Sequence, residues 1–350
     1  VEDCISRHDT AGEEMDTIQD TATLSDELIA HLKTELGNPA LEYASPLTRL
    51  QGGYETSTYR FELDGAPDEL SRPLVLRLYP EFYGPHNAIW ESTVQNVLAG
   101  QGYPVARAYL LCTDLSVLGG AFFIMDCLPG YPLVAAPMES VPELLGETHA
   151  ELHDIGPASL VEALHDQGIA ERDYRLTSRY DGLRHQADQL PWIAPGVDWL
   201  LANRPPEPDR LSVCHGDFHP ANLLYADGKV TGVLDWPGFA VADPAFDVAN
   251  SLMLITIPVR HMAASMPAFA SVDWDGVADL YLAAYRAHRP LDGTNLDYYR
   301  VRRCMLALSE GFNGQKVWQH PGIVSDLLAY VLNVTGIRIS VPPRSSATEA

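Results

Sequence analysis

Apolar positions recur along this chain with two different periods. In SDELIAHLKTEL (residues 25–36), Leu28, Ile29, Leu32 and Leu36 fall three or four apart, which predicts one buried helix face with Ser25 as its N-cap. Residues 1 to about 24 are polar, acidic and aperiodic and read as a mobile tail. LTRLQGGYETSTYRFELDG (47–65) predicts strand, glycine-bearing turn and strand, and RPLVLRLYP (72–80) a further strand. Helical spacing returns in NAIWESTVQNVLAGQG (87–102) at Ile89, Val94, Val97 and Leu98, and Gly100 and Gly102 stop it. AYLLCT and AFFIMDCL supply two more strand candidates.

The proline- and glycine-rich segment LPGYPLVAAPMESVP (128–142) marks a change of regime. Strands dominate before it. After it the pattern is helical in ELLGETHAELHDI, GVDWLLAN, DPAFDVANSLMLI, GVADLYLAAYRAH, DYYRVRRCMLALSEGF and IVSDLLAYVLNVTG. The exception is NLLY, Asp227-Gly228, KVTGVLDW, which reads as a β-hairpin set among helices. The divisions expected are therefore a tail at 1–24, a strand-rich lobe at 25–128 and a helical lobe at 129–350, with a ligand cleft between the lobes.

Composition narrows the function classes. The 350 residues are 46% hydrophobic and 20% charged, ordinary values for a globular protein. No apolar run approaches the roughly 18–20 residues that cross a bilayer, and the N-terminus lacks a basic segment leading into an apolar one. Five scattered cysteines without a C-x-x-C pair fit a reducing, cytoplasmic setting better than a disulfide framework. A net charge of −24 repels nucleic acid and anionic membranes and favours a cationic small molecule, although acidity also serves solubility alone.

The chemistry concentrates in SVCHGDFHPANLLYADGKVTGVLDW (212–236). The hairpin should return Asp235 to the end of the ladder where Asn222 starts it, offering two oxygen ligands suited to Mg²⁺. Asp217, on the preceding loop, could accept a proton from a substrate hydroxyl. His215 and His219 also admit a zinc reading, but no third ligand has convincing spacing. His153 reads as a packed helix histidine, and Asp243-Pro244 as an N-cap with proline in the first turn.

H-G-D-x-x-x-x-N, an aspartate on an apolar strand and ADPAFDVA together resemble the aminoglycoside phosphotransferase family, small-molecule kinases that include choline- and macrolide-kinase-like members. The resemblance runs from about residue 45 through the helical lobe. It implies an α+β, protein-kinase-like two-lobe fold: a strand-rich N-lobe and a mainly helical C-lobe with an embedded β-hairpin. It further implies Asp217 as catalytic base, Asn222 and Asp235 as metal ligands, and His215 and Asp247 in supporting roles. Gly52, Gly53 and Ser57 match the family's phosphate-covering loop. Arg77 stands where the family commonly has a phosphate-binding lysine, with Glu91 as its expected ion-pair partner, and the edge at Asp126 and Leu128 would meet the nucleotide base. The implied reaction moves the γ-phosphate of ATP or GTP to a hydroxyl of a cationic antibiotic, an aminoglycoside or a macrolide. A metabolic amino alcohol as acceptor and a nucleotide-binding pseudokinase stay open, since Arg77 and Pro237 depart from the family pattern. Asp173, Asp181 and Glu310 are acidic candidates for substrate contact.

Overall fold

A computed structural model describes residues 21–50, 56–263 and 272–342. The chain divides into two compact units, residues 1–88 with 109–127, and 89–108 with 128–350. Segment 89–108, expected with the strands, thus groups with the helical unit.

The first unit opens with helix α1 (Thr21–Glu35), which buries Leu24, Leu28 and Leu32. The helix begins four residues before Ser25, so Ser25 is not its cap; the Ser25 carbonyl instead accepts a hydrogen bond from the Tyr43 hydroxyl. Residues 21–24, expected in the tail, are helical, and Leu24 is a core residue; the rest of that expectation, residues 1–20, lies outside the described residues. Five strands follow, β1 (Glu42–Arg49), β2 (Ser57–Asp64), β3 (Leu74–Leu78), β4 (Ala108–Cys112) and β5 (Phe122–Asp126), in the sheet order β1-β2-β3-β5-β4. Strand alternation decides which side chains are inside. Leu76, between Tyr59 and Ile124, joins a core with Phe61, Leu74 and Phe122, whereas its neighbour Arg77, between Thr58 and Phe123, is half-buried.

Helix α2 (His86–Gly100) leads into the second unit. There β6 (Tyr131–Pro132) precedes helices α3 (Val141–Asp154), α4 (Ala158–Asp166), α5 (Glu171–Tyr174), α6 (Arg179–Gln189) and α7 (Ala194–Ala202). Strands β7 (Ser212–Cys214), β8 (Leu223–Ala226), β9 (Lys229–Val233) and β10 (Ala240–Ala242) come next, then α8 (Pro244–Ala263), α9 (Trp274–His288), α10 (Leu296–Phe312) and α11 (Pro321–Thr335). β8 and β9 form the expected hairpin, with Ala226 opposite Lys229. Asp227 (φ 51°) and Gly228 (φ 80°) both take the left-handed conformations of a type I′ turn, whose twist matches the flanking strands. β7 pairs with β10 rather than with the hairpin. Asp243 caps α8 as predicted: its Oδ1 accepts the Ala245 amide at 2.9 Å, and Pro244 occupies the first turn.

Two hydrophobic clusters hold this unit. One gathers Phe218, Leu223, Trp236, Phe239, Tyr281 and Tyr285, and the other Phe246, Tyr299, Leu308 and Leu327. Buried residues on both sides of the 215–222 loop therefore clamp it: Phe218, Leu223 and Trp236 are fully buried while Asp217, Asn222 and Asp235 remain accessible. No described helix is long and apolar enough to cross a membrane.

Candidate active site

The loop from His215 to Asn222 joins β7 to β8, and its polar residues do three different jobs. Asp217 presents a carboxylate with 39% side-chain exposure. Its Oδ2 lies 3.3 Å from the Asn222 amide nitrogen and 3.4 Å from His219 Nε2. His219 Nδ1 accepts the Ala221 amide at 3.3 Å, which leaves the proton on Nε2, directed at Asp217. Asn222 Nδ2 also donates to the Asp217 carbonyl at 3.0 Å, so carboxylate and amide are fixed to one another. Burial pushes the Asp217 carboxyl up, but the His219 hydrogen bond and the charges of His219, Arg303 and His215 outweigh it and bring it down to about 2.

The hairpin does what its turn requires. The Leu234 amide donates to the Asn222 carbonyl at 2.8 Å, which sets Asn222 across the ladder from Leu234 and one residue from Asp235. Asp235 is exposed with φ at 68°, a left-handed conformation that aspartate tolerates better than most residues. That bend lets Trp236 return to the core, where its ring lies 4.5 Å from that of His215 and its Nε1 donates to the Val233 carbonyl. His215 has both ring nitrogens engaged: Nε2 with the Leu234 carbonyl at 2.9 Å, and Nδ1 accepting the Asp217 amide at 3.2 Å. It is a loop organiser and leaves no lone pair for the zinc reading.

Beneath the loop sits Asp247, wholly buried on α8. Its Oδ1 accepts the Gly216 amide at 2.8 Å and its Oδ2 the His215 amide. One turn later Asn250 donates to the Gly216 carbonyl at 3.1 Å. Oδ2 also meets His153 Nε2 at 3.3 Å, while His149 Nε2 lies 3.1 Å away but off the hydrogen-bond direction. The far nitrogens face hydroxyls of α9: His149 Nδ1 is 2.8 Å from Tyr281 Oη, and His153 Nδ1 is 2.6 Å from Tyr285 Oη. Burial raises both phenols, so each stays protonated and donates to its imidazole. Burial and the neighbouring His149 lower His153 to about 4, which keeps it neutral with its proton on Nε2. Asp247 is desolvated, yet its histidine contacts hold it well below the ordinary carboxylate range. His149, His153 and Asp247 have their ligating atoms close enough for a metal ion. The tyrosine hydroxyls satisfy only the far Nδ1 atoms, and the backbone amides take Asp247 Oδ1 and Oδ2; of the two Nε2 atoms facing Oδ2, that of His153 hydrogen-bonds to it and that of His149 has no hydrogen-bond partner.

His153, read from the sequence as packing, is therefore polar support for the loop, and His149 was missed altogether. A signal existed: histidines at 149 and 153 and tyrosines at 281 and 285 share a four-residue spacing on two helices. Phe218 stacks on His149 with ring centroids 4.0 Å apart, tying the residue after Asp217 to the same support.

The remaining predicted residues are distributed between the units. Gly52 and Gly53 lie outside the described residues. Ser57 opens β2 opposite Leu78, and Arg77 on β3 donates to the Tyr79 hydroxyl at 3.2 Å. Asp126 accepts from the Tyr109 hydroxyl at 2.9 Å and faces Arg72 at 3.6 Å. In the second unit Glu91 is 1% exposed, with Gln95 Nε2 at 3.4 Å and the Trp236 amide at 3.5 Å from its Oε1, and Leu128 packs on Gly232. Of the acidic substrate candidates, Glu310 pairs with Arg303 at 3.1 Å and Asp173 accepts the Ala170 amide at 3.1 Å, whereas Asp181 is exposed in the first turn of α6.

Comparison with known proteins bears on this arrangement. Acyl-CoA dehydrogenase family member 11 of Gallus gallus is 31% identical over 192 residues, covering 50% of this chain but 24% of that protein. The chain thus spans about a quarter of the length of the first curated relatives it matches. An aminoglycoside 3'-phosphotransferase of Streptomyces fradiae is 26% identical over 71% of this chain and 90% of its own length. Among solved structures, an aminoglycoside phosphotransferase in ternary complex with AMP-PNP and hygromycin B superposes with a TM-score of 0.57 at 16% identity, covering 88% of this chain and 99% of its own. A macrolide 2'-phosphotransferase of Brachybacterium faecium does so at 0.53 and 17%, covering 89% and 99%. These likenesses establish the kinase-like fold, a small antiparallel sheet followed by a mostly helical lobe. The model of the phosphotransferase enzyme family matches residues 46–297, a span that holds Asp217, Asn222, Asp235 and Asp247, and the chain belongs to that family.

Proposed function

We propose that this phosphotransferase moves the γ-phosphoryl group of ATP or GTP to a hydroxyl of a small molecule, with Asp217 receiving that hydroxyl. The observation that carries the reading is the Asp217 carboxylate, held ionised and steered by His219 and Asn222 on a loop that Asp247 pins from below. A carboxyl near 2 is a weak base, so its work is to accept the hydroxyl's hydrogen bond and aim the oxygen, taking the proton late. Asn222 spends its amide hydrogens on Asp217, which leaves its carbonyl oxygen, with the exposed Asp235 carboxylate, as a hard oxygen donor set that fits Mg²⁺. Bound there, Mg²⁺ would neutralise charge on the nucleotide phosphates. Arg77 and Ser57, with Gly52 and Gly53, are the candidates in the first unit for phosphate contact, and Glu91 for pairing with Arg77. Asp126 and Leu128 stay candidates for the nucleotide base. The AMP-PNP complex of a fold relative supports a nucleotide donor.

Two acceptor classes follow from the comparisons. The chain's charge of −24 and the Streptomyces fradiae relative favour a cationic antibiotic. The acyl-CoA dehydrogenase relatives favour a metabolic alcohol. The test is Mg²⁺-dependent transfer of labelled γ-phosphate from ATP and GTP to a panel of aminoglycosides, macrolides and metabolic alcohols. Asp217→Ala should abolish transfer while retaining Mg²⁺-nucleotide binding; equal transfer by both proteins would remove the assignment of Asp217. Nucleotide binding without transfer to any acceptor would favour a regulatory module.

A further inference from the structure

Three guanidinium groups gather below the catalytic loop of a chain whose formal charge is −24. Arg179, opening α6, donates to the carbonyls of Gly238, at 3.1 Å, and Phe239. Gly238 is the residue against which Gly216 packs; a Cβ on Gly216 would stand 2.3 Å from the Gly238 oxygen. Arg302 on α10 lies over the rings of Phe246, at 5.2 Å, and Tyr180, at 6.0 Å, and Phe246 directly precedes Asp247. Arg303 stacks on Trp318 at 5.0 Å and donates to Glu310 at 3.1 Å. The charge of Arg302 acts on both other arginines, and that of Arg303 reaches Asp217.

Their charges are balanced unequally: the Asp247 carboxylate acts on Arg179, and the Asp217 and Glu310 carboxylates on Arg303. Glu310 offsets Arg303, and backbone carbonyls satisfy Arg179. Arg302 is 3% exposed, its Nε is buried without an acceptor, and no carboxylate or carbonyl among the described residues accepts from it. A cation buried without an anion is a costly arrangement, of which two aromatic faces offset only part. A guanidinium fork is the natural partner of a carboxylate or phosphate, which it holds through two parallel hydrogen bonds.

We infer that the acceptor is an anionic alcohol whose carboxylate or phosphate group is taken by Arg302, beside Arg179 and Arg303, while its hydroxyl goes to Asp217. The inference rests on the kinase reading and specifies its substrate class. The acidity of the whole chain suggests a cationic acceptor; the buried Arg302, without an acceptor on its Nε, argues for an anionic one. Arg302 is thus a specificity determinant of the acceptor side.

The test begins with the wild-type protein carrying Mg²⁺ and AMP-PNP, so that the nucleotide site is filled. Inorganic phosphate and malonate are titrated separately at constant ionic strength, and the melting temperature is followed against a sodium chloride control. At least one anion should raise it; the stronger arm identifies phosphate or carboxylate as the group recognised. Arg302→Met should lose this response and Arg302→Lys, which keeps the charge without the fork, should retain a weaker one. In transfer assays, Arg302→Met should raise the KM of an acid-bearing acceptor by about ten- to a hundredfold, the worth of one or two charged hydrogen bonds, and leave the KM of the nucleotide unchanged. No response above chloride in the wild type overturns the inference, as does an acceptor that carries only amines, even though the kinase reading would survive both. Failure to bind Mg²⁺-AMP-PNP at all would instead sink the kinase reading.

Discussion

Replacing Asp247 by asparagine tests whether the buried carboxylate organises the 215–222 loop. The change keeps shape and volume but removes the charge and turns one acceptor oxygen into a donor. Two arrangements of the amide are available. With its oxygen in the Oδ2 position, it keeps His215 N and His153 Nε2 but sets an NH₂ against the Gly216 amide; turned over, it sets the NH₂ against the His215 amide. His153 could reverse its tautomer and accept, but a backbone amide cannot, so one N–H is orphaned either way. An unsatisfied buried donor costs about 1–3 kcal/mol, and the surviving bonds lose their charge assistance at about 1 kcal/mol each. The expected destabilisation is therefore about 3–5 kcal/mol, a large part of the roughly 5–15 kcal/mol that holds a domain together. Urea unfolding at neutral pH gives the free energy, and hydrogen exchange at the His215 and Gly216 amides localises the damage. A loss below about 1 kcal/mol with unchanged exchange at both amides would refute the reasoning.

Three other perturbations probe the same region. His153 is held to about 4 in the folded protein against 6.5 ordinarily, so between those values the unfolded chain binds the extra proton. Its contribution is complete above about pH 6.5 and is lost as the pH falls towards 4, up to about 3 kcal/mol; the difference between the stability–pH curves of wild type and His153→Gln measures it, and parallel curves would count against a neutral His153. The Asp217 carboxyl, about 2 in the wild type, should titrate at higher pH in His219→Ala, as followed by carboxyl carbon NMR; an unchanged midpoint would mean that His219 does not steer it. Gly216→Ala places a Cβ 2.3 Å from the Gly238 oxygen at φ +87°, where the backbone preference alone costs about 1–2 kcal/mol. Thermal unfolding of that variant should show a drop of several degrees, and full stability would contradict the close approach.

Local patterns carried much of this fold and long-range chemistry little of it. The type I′ turn at Asp227-Gly228 and the Asp243-Pro244 helix start were legible because each depends on residues adjacent in sequence. The face of α1 was also legible, but its start was not. Ser25 has the chemistry of a cap, yet burial of Leu24 extends the helix past it and the Tyr43 contact occupies its carbonyl. The loop's motif named Asp217, Asn222 and Asp235, and the family resemblance added His215 and Asp247 as supports, but neither pointed to the histidines behind Asp247. His153 and Asp247 are 94 residues apart, and no periodicity links an imidazole to a carboxylate on another helix. Arg302 was invisible for the complementary reason: a charge on an amphipathic helix looks solvent-facing until the rings of Tyr180 and Phe246 cover it.

The tyrosine partners of the two support histidines lie 132 residues further along the chain, on α9. A nascent or truncated polypeptide that stops before α9 already contains every residue of the phosphotransfer motif, yet leaves both imidazoles without their phenols. Competence should therefore emerge late in assembly, after α9 has docked on α3, and trail the compaction of the hairpin when refolding is followed by fluorescence and activity together. Simultaneous recovery of the two signals would separate loop order from that docking step.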